Sequence, residues 1–325
     1  MRVGLCFDGF YSIQEMIELS KLADEIGMES IWMSDHLCFR DSLTTCMALL
    51  AATQKIKVAP APMSPYSRTP IISAMSVTTM DEFAPGRVIA SPGTGNAAAL
   101  KEAGIESPHP LQTMREYVEI LRRLLKGETV NYQGKMFQLN GAKMGFVPAQ
   151  PIPMYITAVR SRMLELGGEI GDGVLLWLCD PPYVRDVVIP EVTKGRERAG
   201  KGLEGFDIVP AVPAAVTADR DATLERLRGD LVTYLSLPFY RSMLERSGFG
   251  GEIAGFDEGI AAGDVERAKA SMSEAMLDSL GGFGGGAEVR GAVERYLDAG
   301  ATSPGVSPVP TADFDATLAA GAELI

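Results

Sequence analysis

A (β/α)8 TIM barrel is the fold class this 325-residue sequence predicts, and three observations predict it. Short apolar runs alternate with amphipathic stretches, first four times at a spacing of about 30 residues, which argues for a parallel sheet. Eight such strand-helix units can be counted. The length suits one closed barrel of about 250 residues plus insertions. A doubly wound open sheet is the alternative that the same alternation allows.

The elements follow in order. Residues 2–7 read as the first strand. The next helix starts at Ser12, with Glu15 three positions on as a capping box. Its apolar positions Ile13, Met16, Ile17, Leu19, Leu22, Ala23 and Ile26 fall at helical spacing, and Gly27 ends it. Residues 30–34 form a strand, 43–53 a helix, 56–59 a strand, 71–83 a helix, 87–90 a strand and 114–125 a helix. The rhythm then breaks: two β-rich pieces in 129–139, around Gln133-Gly134, read as a β-hairpin insertion after strand four. It resumes with strands at 154–157, 173–178 and 206–212, with a helix over 183–198. Residues 218–280 read as helical throughout, a long helical insertion between strands seven and eight. The last strand lies near 302–306. The glycine-rich residues 281–286 read as a mobile loop, without the lysine and strand-loop-helix placement of a P-loop. The whole chain, 1–325, is expected to be a single domain.

Composition narrows the function. Hydrophobic residues make up 46% and charged residues 22%, ordinary values for a globular protein with a sizeable core. A formal net charge of -12 repels phosphate backbones, so nucleic acid is not expected as a partner. The chain opens on a strand rather than an apolar leader, and no apolar run approaches the ~18 residues that span a bilayer. Cys6, Cys38, Cys46 and Cys179 lack the spacing of a zinc ribbon or a redox dithiol and read as reduced, mostly buried thiols. A cytoplasmic protein without membrane attachment is expected. No histidine, cysteine and carboxylate cluster has metal-ligand spacing, so no catalytic metal is expected.

In a (β/α)8 barrel the chemistry sits at the C-terminal ends of the strands. Asp8-Gly9 follows strand one, and Ser34-Asp35-His36 strand two. Ala61-Pro62-Met63-Ser64-Pro65 follows strand three, and Ser91-Pro92-Gly93-Thr94-Gly95-Asn96 strand four. Ala158-Val159-Arg160-Ser161 follows strand five, and Trp177 strand six. His36 is one of only two histidines, and its neighbour Asp35 can raise its pKa; it suits proton transfer, or a structural bond to backbone. His109, in a proline-flanked loop, reads as structural. The glycines at 93 and 95 permit a tight turn that a flat ring or an anion can approach, or simply a strand-end turn. On local sequence alone Ala61-Pro62 reads as part of a trans loop.

These loops also carry a resemblance. Ile31-Trp32-Met33-Ser34-Asp35-His36 is one part of it, and Pro62-Met63-Ser64-Pro65-Tyr66-Ser67-Arg68-Thr69-Pro70 another. Asp81-Glu82-Phe83-Ala84-Pro85-Gly86-Arg87-Val88 leads into Gly93-Thr94-Gly95. Pro153-Met154-Tyr155-Ile156 comes with Gly171-Asp172-Gly173. In that order and spacing the chain resembles the luciferase-like monooxygenase superfamily. Within it, the likeness is to the coenzyme F-420-dependent branch typified by methylenetetrahydromethanopterin reductase.

The resemblance implies an oxidoreductase that passes a hydride between the reduced deazaflavin coenzyme F-420 and a small organic substrate. Asp35 and His36 would be the catalytic pair. A cis bond at Ala61-Pro62 would bulge under the ring. Ala61, Pro62, Met63, Ser91, Gly93, Thr94 and Gly95 would line the cofactor. After strand five, relatives often carry a Gly-Gly or Gln-Gly phosphate loop. Here Ala158, Val159, Arg160 and Ser161 stand there, and an anion would be held by the helix N-terminus, Arg160 and the Ser161 hydroxyl. Two other readings fit the same fold: an FMN-dependent luciferase-like monooxygenase, and a flavin- or ligand-binding barrel without turnover. The substrate pocket would draw on residues 135–145 and 235–251, whose aromatic and methionine side chains read first as helical core. A homodimer or higher homo-oligomer is implied.

Overall fold

The computed structural model describes residues 1–325. It divides into two compact units, Gly4–Leu175 with Glu191–Asp207, and Met1–Val3 with Leu176–Pro190 and Ile208–Ile325.

In the larger unit, β1 (Gly4–Phe7), β2 (Ser30–Ser34) and β3 (Lys57–Ala61) run parallel, with Leu5 opposite Ile31 and Ile31 opposite Val58. All four residues of β1 are buried, as expected of strands covered on both faces. The helix Ile13–Glu25 begins at the expected capping box: the Glu15 N–H donates to Ser12 Oγ, and the Ser12 N–H to Glu15 Oε2 at 2.7 Å. Asp41 and Thr69 cap the helices Ser42–Ala52 and Pro70–Phe83 by accepting the Thr44 and Ile72 N–H groups, without the reciprocal bond. Each cap fixes where a strand-end loop stops and its helix starts.

The hairpin strands β4 (Val130–Gln133) and β5 (Gln138–Ala142) pair antiparallel and follow the helix Pro110–Leu125. Then come β6 (Tyr155–Thr157) and β7 (Gly173–Leu176), parallel, with Ile156 opposite Val174. Helix Ser161–Ile170 lies hard against the helix Ile189–Arg198. A Cβ on Gly195 would fall 1.9 Å from the Glu165 carbonyl oxygen, so that crossing requires glycine.

The smaller unit holds β8 (Asp207–Val216), β9 (Gly282–Gly284) and β10 (Gly305–Pro308). Both shorter strands run parallel to β8, Ala214 facing Gly282 and Ala211 facing Gly305. Five helices between β8 and β9, from Arg220–Leu235 to Glu274–Leu280, enclose an apolar cluster that includes Leu231, Phe256, Met276 and Phe283. Met243 of residues 235–251 is buried, and Tyr240 and Phe249 pack against this cluster. Those side chains serve as core.

Two expectations are corrected, and one element is added. The strand expected at 87–90 is a line of isolated bridges, Val88 to Val58, Ala90 to Met154 and Pro92 to Met63. Its hydrogen bonds alternate between two neighbours, and Pro92 and Pro153 lack N–H groups to extend either ladder. The glycine-rich residues 281–286 are no mobile loop. They form β9 and start the helix Gly286–Asp298, and a Cβ on Gly281 would lie 2.0 Å from the Pro213 carbonyl oxygen. Those glycines permit close backbone approach rather than motion. Finally, the helix Ala97–Glu102, capped by Asn96, had no counterpart in the sequence reading.

Candidate active site

The larger unit brings the strand-end loops together in sheet order, each bonded to the next. The Asp35 N–H donates to the Ala61 carbonyl at 2.9 Å, and the Met63 N–H to the Ser91 carbonyl at 2.8 Å. The Gly93 N–H returns to the Met63 carbonyl at 3.3 Å, and the Thr157 N–H meets the Pro92 carbonyl at 2.9 Å. The Ala158 N–H reaches the Leu175 carbonyl at 3.0 Å. Parallel register produces the row where strands adjoin, since each ends level with its neighbour, and the isolated bridges of the 87–92 segment carry it between β3 and β6.

The middle of the row is tightly built. Ser91 Oγ and Thr157 Oγ1 are 3.1 Å apart. A Cβ at Gly93 would fall 2.6 Å from Pro62 Cβ and 2.7 Å from Thr157 Cβ, well inside van der Waals contact. Gly95 has φ +71° and so occupies the left-handed region that glycine favours. The Ser64 hydroxyl donates to the Thr94 carbonyl at 3.3 Å, tying the loop after β3 to this turn. The Ala61-Pro62 bond is cis, as the resemblance implies and contrary to the trans reading of local sequence. In an ordered loop the tertiary context decides the isomer.

At one end of the row is His36. Its ring meets Phe39 edge-to-face at 6.1 Å, and Phe39 meets Phe10 likewise at 5.3 Å. Gly9, with φ +88°, passes beside the imidazole. Burial pushes the His36 pKa below the usual histidine value, and the Asp35 charge works against that. The Asp35 carboxylate is engaged on both oxygens. Oδ1 accepts from the Ser42 N–H at 3.3 Å, and Oδ2 lies 3.5 Å from Arg68 Nε.

At the other end, Arg160 is the N-cap of the helix Ser161–Ile170 and makes no side-chain capping bond. The Arg160 carbonyl takes the N–H groups of Met163 and Leu164, the ordinary opening of a helix. A helix start without a side-chain cap presents N–H donors and a partial positive charge, to which Arg160 and the Ser161 hydroxyl add. That donor set fits an anion such as a cofactor phosphate.

Every sequence-predicted site residue therefore falls in one stitched row of loops. Sequence reasoning missed Thr157 and the roles of Ser64 and Arg68. Their partners lie 66, 30 and 33 residues away, and no local pattern signals a contact over that separation.

A parallel α/β fold with its polar and glycine-rich residues collected at strand C-termini is of the enzyme-bearing kind, whether closed as a barrel or open. The luciferase-like monooxygenase family matches residues 5–303, and the chain belongs to that family. It is 31% identical over 283 residues to the 5,10-methylenetetrahydromethanopterin reductase of Archaeoglobus fulgidus, covering 86% of this chain and 84% of that protein. It is 30% identical over 311 residues to the reductase of Methanolobus tindarius, covering 93% and 92%. The solved structure of the coenzyme F-420-dependent tetrahydromethanopterin reductase from Methanopyrus kandleri superposes with a TM-score of 0.86. It has 25% identity, over 99% of this chain and 98% of that one. The fold is thus the (β/α)8 TIM barrel.

Proposed function

We propose that this protein transfers a hydride between reduced coenzyme F-420 and a small organic substrate. The observation that carries the reading is the continuous row of bonded loops, with a histidine at one end and an uncapped helix start at the other. The names and near full-length likeness of the relatives support it. When bound, the deazaflavin supplies the hydride.

The chain's own residues do the rest. The Ser161 hydroxyl, Arg160 and the first N–H groups of the helix Ser161–Ile170 hold the anionic end, with Ala158 and Val159 beside them. Ala61, Pro62, Met63, Ser91, Gly93, Thr94 and Gly95 form a rigid wall for the ring, because backbone-to-backbone bonds leave these loops little freedom. Rigid placement of this kind is the larger part of what a protein contributes to hydride transfer. His36 handles the proton, and Asp35 acts through it.

The reaction is placed in the cytoplasm, a reading the four free cysteines support. No helix is long and apolar enough to cross a membrane. We read residues 1–325 as one domain, since the family match runs through both compact units. The helix Pro70–Phe83 exposes Ile71, Ile72, Met75 and Phe83, with Glu82 as the one charged residue among its exposed positions. Such a face suits a homodimer, because a largely apolar stripe with a single charge can meet its own copy with little charge repulsion.

The test is a titration of the purified chain with F-420 and, separately, with FMN. Binding of F-420 is expected, with hydride transfer falling about 10²–10⁴-fold in His36→Ala while binding persists. Binding of FMN alone, with oxygen consumption, would overturn the reading in favour of a monooxygenase. Binding of F-420 without turnover on any carbonyl or imine substrate would favour a non-catalytic barrel.

A further inference from the structure

We propose that Arg68 is a positioning residue of this site: it holds the Asp35 carboxylate in place and, through Asp35, governs the proton on His36. The inference rests on the reading of His36 as the proton-handling group.

The geometry is a closed charge cluster. Arg68 Nε lies 3.5 Å from Asp35 Oδ2, and its Nη2 bonds the Asp41 carboxylate. The second oxygen of each carboxylate is also occupied. Asp35 Oδ1 takes the Ser42 N–H, and Asp41 Oδ1 takes the Thr44 N–H at 2.8 Å. Arg68 is held from behind, its own N–H donating to the Ser64 carbonyl at 3.0 Å. Ser64 is in turn bonded to Thr94, so the cluster is anchored to the cofactor-side turn. The side chains of Arg68 and Asp35 are 21% and 13% exposed, dry enough for their charges to act strongly on neighbours.

Two carboxylates share one guanidinium here. Without Arg68 the Asp35 charge is uncompensated beside His36. Burial disfavours the imidazolium and Asp35 favours it, so the balance turns on how much of the Asp35 charge Arg68 neutralises. The charged residues of the loops next to His36 in the fold are Asp8 on the loop after β1, Asp35, Arg40 and Asp41 on its own loop, and Arg68 on the loop after β3; of these, Asp35 is the charge that acts on the imidazole. Arg40 is occupied with the Gly9 carbonyl at 3.1 Å. Arg68 is the one cation of this set that touches Asp35.

The experiment is an NMR titration of the imidazole Cε1–H signals in the full chain. There are two histidines, so His109 is the internal control. Arg68→Met is expected to raise the His36 midpoint by about half a pH unit or more and to leave His109 unmoved. Arg68→Lys, which keeps the charge, should restore most of the wild-type midpoint. In an Asp35→Asn background the Arg68→Met shift should largely vanish. A folded Arg68→Met with a wild-type midpoint, or an equal shift without Asp35, overturns the proposal. Should Arg68→Met not fold by circular dichroism, Arg68→Gln takes its place with the same expected outcome. The titration needs no cofactor. A wild-type chain that fails to bind F-420 removes the hydride-transfer reading, whereas an unmoved midpoint in a chain that binds F-420 removes the role of Arg68.

Discussion

Gly134 leaves the room that lets Glu116 close the turn of the β4–β5 hairpin: a Cβ at that glycine would lie 2.2 Å from Glu116 Oε2. Glu116 Oε2 accepts the N–H groups of Met136 and Phe137 at 2.9 and 3.0 Å, and Oε1 that of Lys135 at 2.9 Å. Gln112 Nε2 adds a fourth bond at 2.7 Å. A buried carboxylate from a helix thus does the work of a turn.

Glu116→Ala removes the shared acceptor of three partly exposed backbone donors, which then turn to water, and should cost about 1–3 kcal/mol. Amide exchange at 135–137 should accelerate before the rest of the chain responds. Gly134→Ala should weaken the same turn. Burial pushes the Glu116 carboxyl up, but its Gln112, Met136, Phe137 and Lys135 bonds outweigh that and hold it below the usual range. The folded pKa is depressed. Its contribution is therefore complete above the unfolded carboxylate value of about 4.3 and is lost as pH falls through the folded value. An Ala variant with unchanged exchange at 135–137 would sink this account.

Gly93→Ala forces a methyl into the space held by Pro62 and Thr157. We expect a loss of about 1–3 kcal/mol in thermal unfolding, together with weaker F-420 binding. Thr157→Ala made with it should recover part of the stability, because one of the two clashing side chains is then trimmed. No recovery in the double variant would mean that the Pro62 contact alone sets the cost.

His36 has a depressed folded pKa, since burial favours the neutral imidazole. As pH falls below the unfolded value of about 6.5, the unfolded chain takes up the proton first and the fold loses stability until the folded value is passed. His36→Gln removes that dependence. Denaturant midpoints measured between pH 7.5 and 5 should fall less in the variant than in the wild type. Parallel curves would refute the buried, neutral His36.

The apolar face of the helix Pro70–Phe83 makes the homodimer testable. Wild type should sediment as a dimer, and Met75→Glu with Ile72→Lys as a monomer of unchanged far-UV dichroism. A wild-type monomer at tens of micromolar would show that the exposed face serves no self-association.

Much of the fold can be read locally. The capping box at Ser12 and Glu15, the buried strands β1 and β2 and the hairpin around Gln133-Gly134 all rest on neighbours within a few residues. So does the strand-helix order that brings Asp35, Pro62, Gly93 and Ser161 to one edge. Where reading failed, the cause was a partner far along the chain. Residues 281–286 resemble a flexible loop until Pro213, 68 residues before Gly281, is seen against their backbone. Residues 87–90 resemble a strand until their bonds are seen to alternate between β3 and β6.

The amino-acid sequence by itself determined the barrel class, the loops that carry polar and glycine residues, and the family likeness, because periodicity, caps and motifs are local properties of a chain. Only the tertiary structure decided that Arg68 clamps Asp35, that Gly93 must be bare against Pro62 and Thr157, and that Glu116 closes the hairpin. Each of these is a contact between segments 18 or more residues apart, set by packing and burial, and hydrophobic pattern does not encode which distant side chain fills a given space.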